Sequence, residues 1–365
     1  MKLPTYQDLS KKQDRIYNLP LEESYIITGP PGTGKTVMAL YRASMYQRQE
    51  HLCRLIIYSR FLSQYLQSAV DELNLDSEVQ TFHSWTWNYY RNHFGSRPPQ
   101  YEKFKNNWEK ISRQLLKNPP PEEERPYVIV DEGQDMPADF YMAVPHLSRT
   151  LTVFADENQR ISERQSTLDD IRSRTRIDRE VHLKKNYRNT LEIARVARAF
   201  YTGSEDRLPE LPDREGRKPV VGRTDDLDDF VDFLLNFEEL YSDLDIGVLT
   251  QTHSTQRKIE SRLVGKTKNS VQHYRREKGK PPPNVDFDKP GIRLVTFASA
   301  KGLEFDVVFI PELQRVNLDP SEPSTKMKFY VLVSRAREEL FVTYSGTERP
   351  ELLDLFPEDL IEWRE

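Results

Sequence analysis

The 365-residue sequence has room for two or three domains with sizeable cores, and although 30% of it is charged the net charge is only −5, which excludes a globally basic nucleic-acid protein and leaves room only for a local basic patch. Its single cysteine, Cys53, excludes an internal disulfide framework and a cysteine zinc site, and beside Leu55, Ile56 and Ile57 it reads as packing. The opening MKLPTYQDLSKKQ has no apolar leader and no run approaches membrane-spanning length, so the expectation is a cytoplasmic protein without a membrane partner.

In chain order, the first stretch is LSKKQDRIYNLP, in which Gln13 carries an amide able to read both the N6 and N7 edges of adenine, although most glutamines are simply solvated. The apolar run Tyr25-Ile26-Ile27 then leads into GPPGTGKT, Gly29 to Thr36, with a helical pattern behind it. A short strand, a tight glycine turn and a helix start are what is needed to point backbone N–H groups and a helix N-terminus at a polyphosphate. Gly29, Gly32 and Gly34 permit the turn, with Pro30, Pro31 and Thr33 completing it; Lys35 would reach the β and γ phosphates of ATP and the Thr36 hydroxyl would ligate Mg²⁺. A plain glycine turn between a buried strand and a surface helix leaves the order Gly-Lys-Thr at the helix start unexplained.

Arg54 to Tyr58 reads as a buried strand and Phe61 to Leu73 repeats apolar residues at helical spacing. The aromatic stretch Val79 to Phe94 is either a stacking platform for single-stranded bases or, for most of Trp85, Trp87, Tyr89 and Tyr90, helix core. Residues 95–125 hold an amphipathic helical pattern around Trp108 and Leu115, flanked by proline-rich stretches, and read as an insertion or small subdomain outside any central sheet. Tyr127 to Val130 is a short apolar strand ending in Asp131-Glu132, where carboxylates lie over the crevice in which an α/β sheet binds its ligand. Asp131 would hold Mg²⁺ and Glu132 would polarise the attacking water. LTVFA, Leu151 to Ala155, ends in Asp156 with Gln159 following, and Glu180 to Leu183 is a further short strand. Thr190 is expected to cap a helix bearing Ile193, Ala194, Ala197 and Phe200, so that Arg188 projects from a rigid terminus.

Alternation then restarts: the strand PVVG, a helix from about Asp226 to Leu240, the strand IGVLT, a helix from about Thr255 to Arg262, and the strands IRLVTF and VVFI, implying a second parallel sheet. Gly265 to Pro283 is lysine- and arginine-rich; it either tracks a phosphate backbone or is a solvated loop. From Arg349 onward the chain is acidic with scattered Leu, Phe and Trp363, a candidate docking edge.

The order of GPPGTGKT, TFHS (Thr81 to Ser84), DEGQD (Asp131 to Asp135), ADENQ, NYR (Asn186 to Arg188), TFASAKGLEF (Thr296 to Phe305) and YVLVSRA (Tyr330 to Ala336) resembles superfamily 1 helicases of the UvrD/Rep/PcrA type, in a compact form with reduced accessory subdomains. The resemblance implies an α/β fold of two RecA-like P-loop domains, residues 1–185 and 186–365, with parallel sheets flanked by helices and ATP in the cleft between them. It further implies that Gln13 and Tyr187 hold adenine, that Gln159 senses the γ-phosphate, and that Gly302 and Glu304 border the nucleotide, Glu304 near the ribose or Mg²⁺. Arg188 and Arg335 would act as arginine fingers, and Arg60, Phe61, Thr81, Phe82, His83, Thr296 and Ser299 would contact the nucleic-acid strand. Three features depart from the family. Arg160 to Arg164 stand where an aromatic pair usually follows ADENQ, Ala298 stands where histidine is frequent, and only 85–125 and about 264–290 remain of the accessory insertions. The implied activity is ATP-driven helicase or translocase action on single-stranded DNA, 3′ to 5′, with RNA left open. The alternative is a nucleic-acid- or nucleotide-sensing ATPase that regulates a partner such as a nuclease in an anti-phage or repair complex.

Overall fold

The computed structural model describes residues 3–58, 60–75, 79–102, 105–156, 166–275 and 283–364. The chain divides into two compact units, Met1–Leu183 and Lys184–Glu365.

The first unit runs α1 (Lys11–Tyr17), β1 (Tyr25–Thr28), α2 (Lys35–Arg48), β2 (Cys53–Ile57), α3 (Arg60–Glu72), β3 (Val79–Thr81), α4 (Phe82–Phe94), β4 (Gln100–Glu102), β5 (Lys105–Asn106), α5 (Trp108–Lys117), β6 (Tyr127–Val130), α6 (Ala138–Leu147), β7 (Leu151–Ala155), α7 (Leu168–Thr175) and β8 (Glu180–His182). Among the described residues a parallel sheet of six strands takes the order β3-β2-β6-β7-β1-β8. Its middle strands β1, β6 and β7 are buried along their whole length, as expected of near-continuous apolar runs covered on both faces. Register sets the site: Thr28 lies opposite Ala155 and Val130 opposite Val153, so β1, β6 and β7 deliver their following residues to one end of the sheet. That carboxyl end carries the glycine turn, Asp131-Glu132 and Asp156.

The short antiparallel pair β4-β5 lies outside the central sheet. Nearby, α5 is strongly amphipathic: Ile111 and Leu115 are buried and Ser112 Oγ donates to Asp139 O of α6 at 2.8 Å. Trp85 and Tyr90 of α4 are core, while Trp87 and Tyr89 are half-buried. Cys53 is buried, and burial pushes its thiol up to about 12, in keeping with packing.

The second unit runs α8 (Leu191–Ala199), β9 (Val220–Thr224), α9 (Leu227–Leu240), β10 (Asp245–Thr250), α10 (His253–Leu263), β11 (Ser270–His273), β12 (Gly291–Thr296), β13 (Phe305–Ile310), α11 (Pro323–Val333), β14 (Ala336–Ser345) and β15 (Glu362–Arg364). Its parallel sheet takes the order β11-β12-β10-β13-β14-β9-β15. Packed rings fill one face: Phe309 and Phe341 stack at 4.8 Å, with Phe237 edge-on to both. Three strands were not anticipated from the sequence. β14 begins with the charged run Arg337-Glu338-Glu339 yet pairs with both β13 and β9. β11 occupies part of the stretch read as a basic loop, and β15 adds the acidic C-terminal tail to the sheet edge beside β9. Thr190 takes the N-cap position of α8, but its hydroxyl makes no capping bond. Both units are therefore parallel α/β layers, as the alternating pattern implied for the second and the family resemblance, with its RecA-like domains, for both.

Candidate functional site

Gly32 and Gly34 have φ of 80° and 85°, the left-handed turn that aims the start of α2 at the crevice. Gly29 is constrained differently, by space: a Cβ there would stand 2.8 Å from Leu183 O. Lys35 is 7% exposed; its Nζ donates to Gly29 O at 2.6 Å and Pro30 O at 3.0 Å and lies 3.7 Å from the Asp156 carboxylate. Thr33 Oγ1 donates to Pro30 O at 2.9 Å, and Pro31 is buried between them. Gln13, on α1, closes over this turn: Nε2 donates to Thr33 O at 3.2 Å and Oε1 accepts from Ser10 N at 3.0 Å. Its amide thus packs the loop here, where adenine reading was expected.

Thr36 Oγ1 donates to Asp131 Oδ2 at 2.8 Å. Asp131 is 1% exposed, and its Oδ1 is buried without a hydrogen-bond partner among the described residues. Burial, and then the charge of Glu132, push this carboxyl up to about 7, against the pull of the Thr36 hydroxyl and Lys35. Hard oxygen donors on a serine-like hydroxyl and a carboxylate, one oxygen of which lacks a partner, fit Mg²⁺, which keeps several waters and phosphate oxygens of its own. The described residues hold no cluster of three or more His, Cys, Asp and Glu side chains suited to an all-protein metal cage.

Glu132 sits at φ 52°, ψ 45°, a left-handed conformation uncommon for a non-glycine residue. Gln134, which sequence reasoning left unassigned, explains how its side chain is held. Its Nε2 donates to Glu132 Oε2 and its Oε1 accepts from Asp156 N at 2.8 Å, so one fully buried amide ties the ends of β6 and β7 together. The only hint in the sequence was its place inside DEGQD. Gln159 and Arg160 to Arg164 lie outside the described residues.

In the second unit Arg188 Nε donates to Glu304 Oε2 at 2.6 Å, and Nη1 lies 3.4 Å from Ser334 O. Glu304, expected at the ribose or metal, here neutralises an expected finger. Arg335 is 1% exposed: Nε donates to Val331 O at 2.9 Å and Nη1 to Leu303 O at 3.1 Å. A buried guanidinium needs such partners, and main-chain carbonyls of its own unit supply them. Tyr187 is 41% exposed with Lys185 Nζ 5.9 Å from its ring centre, and Gly302 makes a left-handed turn at φ 79°.

Of the expected strand contacts, Arg60 is exposed at the start of α3 and His83 is exposed on α4. Phe61 and Phe82 are instead core, 3% and 1% exposed; Phe82 stacks on Trp108 at 4.4 Å, so no face is open to a base. Their helical spacing with Leu62, Leu66, Trp85 and Tyr90 puts them on the inner faces of α3 and α4. Thr81 caps α4 by accepting from Ser84 N at 3.3 Å. Tyr58, not singled out from the sequence, is 40% exposed with its ring 6.2 Å from His83. Thr296 Oγ1 donates to Ser299 Oγ at 3.0 Å after β12. No helix among the described residues is long and apolar enough to cross a membrane.

Two family profiles match the chain: an AAA domain over residues 13–165, within the first unit, and the UvrD-like helicase C-terminal domain over residues 283–347, within the second. No curated protein matches. Similar solved structures include the C-terminal domain of a possible DNA helicase from Lactobacillus plantarum WCFS1, 22% identical, covering 49% of this chain and 98% of that one with a TM-score of 0.37. The helicase of PRRSV is 16% identical over 94% of this chain and 56% of that one, TM-score 0.44; arterivirus nonstructural protein 10, a helicase, is 14% identical over 94% and 64%, TM-score 0.42. This chain thus spans less than two thirds of either viral helicase. With the AAA profile falling in the first unit and the UvrD-like helicase C-terminal profile in the second, the two matches support a UvrD-like superfamily 1 helicase.

Proposed function

We propose that the chain hydrolyses ATP with Mg²⁺ and couples the cycle to 3′ to 5′ movement along single-stranded DNA. The observation that carries the ATPase part is the Thr36–Asp131 bond, with the unpartnered Asp131 Oδ1 beside Lys35 at the head of α2. Mg²⁺, held by Thr36 and Asp131, would neutralise phosphate charge. Lys35 exchanges the Gly29 and Pro30 carbonyls for phosphate oxygens, a stronger, charge-assisted partner. Glu132, oriented by Gln134, accepts the proton of the attacking water. Gln159 senses the γ-phosphate, Gln13 and Tyr187 hold the base, and Gly302 and Glu304 border the nucleotide. Arg188 and Arg335 are the arginine fingers, once Arg188 leaves Glu304 and Arg335 leaves its carbonyls. Arg60, His83, Thr81, Thr296 and Ser299 form the strand track.

A second reading, an ATPase that gates a partner such as a nuclease, is favoured by one observation: Phe61 and Phe82 are buried, which removes two rings from the expected base-stacking surface. The test is steady-state ATP hydrolysis by the purified chain with single-stranded DNA, single-stranded RNA or duplex DNA at low salt, with Lys35→Ala as the blank. Stimulation by single-stranded DNA that falls steeply as salt rises supports the motor. Hydrolysis indifferent to every polymer overturns it in favour of the partner-gated ATPase, and no hydrolysis above the blank overturns the ATPase assignment itself.

A further inference from the structure

Two turns of the second unit meet at one buried side chain that none of the assigned roles uses. Asn189 is fully buried, and an amide has two N–H donors and one carbonyl to satisfy. Both donors go to main-chain groups on either side of Arg335: Nδ2 bonds to Ser334 O at 3.2 Å and to Ala336 O. Its Oδ1 accepts from Asn186 Nδ2 at 2.6 Å, and Asn186 Oδ1 in turn accepts from Arg188 N at 2.9 Å and Asn189 N at 3.2 Å. A continuous hydrogen-bonded chain therefore runs from the backbone of Arg188 to the peptide groups flanking Arg335. The segment Leu303 to Phe305 fastens the same two turns from another side. Glu304 pairs with Arg188, Leu303 O accepts from Arg335 Nη1, and Phe305 N donates to Arg335 O at 3.0 Å.

We propose that Asn189 is a positioning residue that makes the Arg188 and Arg335 turns one rigid piece, so that both guanidiniums reach the transferring phosphate in fixed spacing. The proposal rests on the reading of both arginines as fingers. A buried amide that only filled the core would have no reason to bond the peptide groups on both sides of one finger while its own turn carries the other. Misplacing a catalytic group by about 1 Å costs on the order of 100-fold in rate, so loosening this clamp acts on turnover more than on ground-state binding. Asn189→Ser, with one short donor in place of two, is expected to keep only part of the rate.

The experiment is a double-mutant cycle read by single-turnover ATP hydrolysis and by equilibrium binding of a fluorescent ATP analogue, with thermal unfolding recorded for each variant. Asn189→Ala is expected to lower the rate roughly 10- to 100-fold while the analogue's Kd moves less than about threefold. Added to Arg188→Ala/Arg335→Ala, the same substitution is expected to cost nothing further. If Asn189→Ala does not fold, Asn189→Ser takes its place in the cycle. An equal loss of rate in both backgrounds would mean a merely structural amide and overturn the proposal. An unchanged rate in folded Asn189→Ala, with the arginine variants impaired, overturns the positioning role and leaves the fingers standing. Unchanged rates in Arg188→Ala and Arg335→Ala would bring down the finger reading and the positioning role with it.

Discussion

Asp131 is a buried acid held out of its ordinary range, and the consequence for stability is measurable. Its carboxyl is raised from 3.8 to about 7, first by burial and then by Glu132. The folded protein therefore binds this proton more tightly than the unfolded chain, and the stability it contributes is complete below pH 3.8 and is lost as pH rises to about 7. Between pH 5 and pH 8 the wild-type first unit should lose about 3 kcal/mol from this group, at about 1.4 kcal/mol for each pH step up to the folded value. Asp131→Asn abolishes that dependence. Its side-chain carbonyl can still accept from Thr36, and its buried, unpartnered amide adds a cost of about 1–3 kcal/mol that does not vary with pH and so cancels from the comparison. Thermal unfolding in chelator at pH 5 and pH 8 is the assay. Relative to wild type, the variant's Tm should rise by roughly 6–12 °C on going from pH 5 to pH 8, at about 2–4 °C per kcal/mol for a unit of this size. Adding Mg²⁺ with ADP should raise the Tm of both proteins, and that of the wild type by more, since the variant keeps the glycine turn and Lys35 but lacks the carboxylate for the metal. A Tm difference that is the same at both pH values would refute the reasoning.

Glu132→Gln should bind ATP and lose about 10² to 10⁴ in turnover, since the amide cannot accept the water proton; full turnover would move the base elsewhere. Lys35→Ala removes about two charge-assisted bonds to phosphate and should weaken ATP about 100-fold or more in titration calorimetry. Gly133→Ala would drive a Cβ to 2.4 Å from Val153 Cγ1 and 2.8 Å from Tyr141 Oη, with a loss of about 1–3 kcal/mol in urea unfolding.

What was legible in the sequence was what local chemistry fixes. The glycine turn needs positive φ at Gly32 and Gly34, and acids at the end of an apolar strand can only stand over the sheet's crevice, so both the P-loop and Asp131-Glu132 were visible as residues in a row. Phe61 and Phe82 were misread because a motif assigns them to ligand while the helical period assigns them to the core, and the period wins: Phe82 lies against Trp108 and Phe140. β14 escaped because its first residues are charged, and a pattern read from the strand's start cannot see that Leu340 to Val342 are buried. Gln134 and Asn189 were out of reach for another reason. A buried amide has no signature of its own until the groups it joins, distant in sequence, are brought together.

The resting contacts also say where each cation should act. Lys35 rests on two neutral carbonyls, with a carboxylate 3.7 Å away, so exchanging those carbonyls for phosphate oxygens strengthens its bonds as soon as ATP binds. Arg188 rests on a carboxylate at 2.6 Å, and replacing one oxyanion by another is nearly neutral in the ground state. On the proposed finger role its advantage would appear only as charge develops on the transferring phosphate, which would raise kcat without tightening substrate. Lys35→Ala should accordingly act mainly through ATP affinity, and Arg188→Ala mainly through kcat, by about 10³-fold or more for a finger. Equal losses of affinity and rate in Arg188→Ala would show that the exchange from Glu304 is not neutral, and that this arginine holds ATP as well as its transition state.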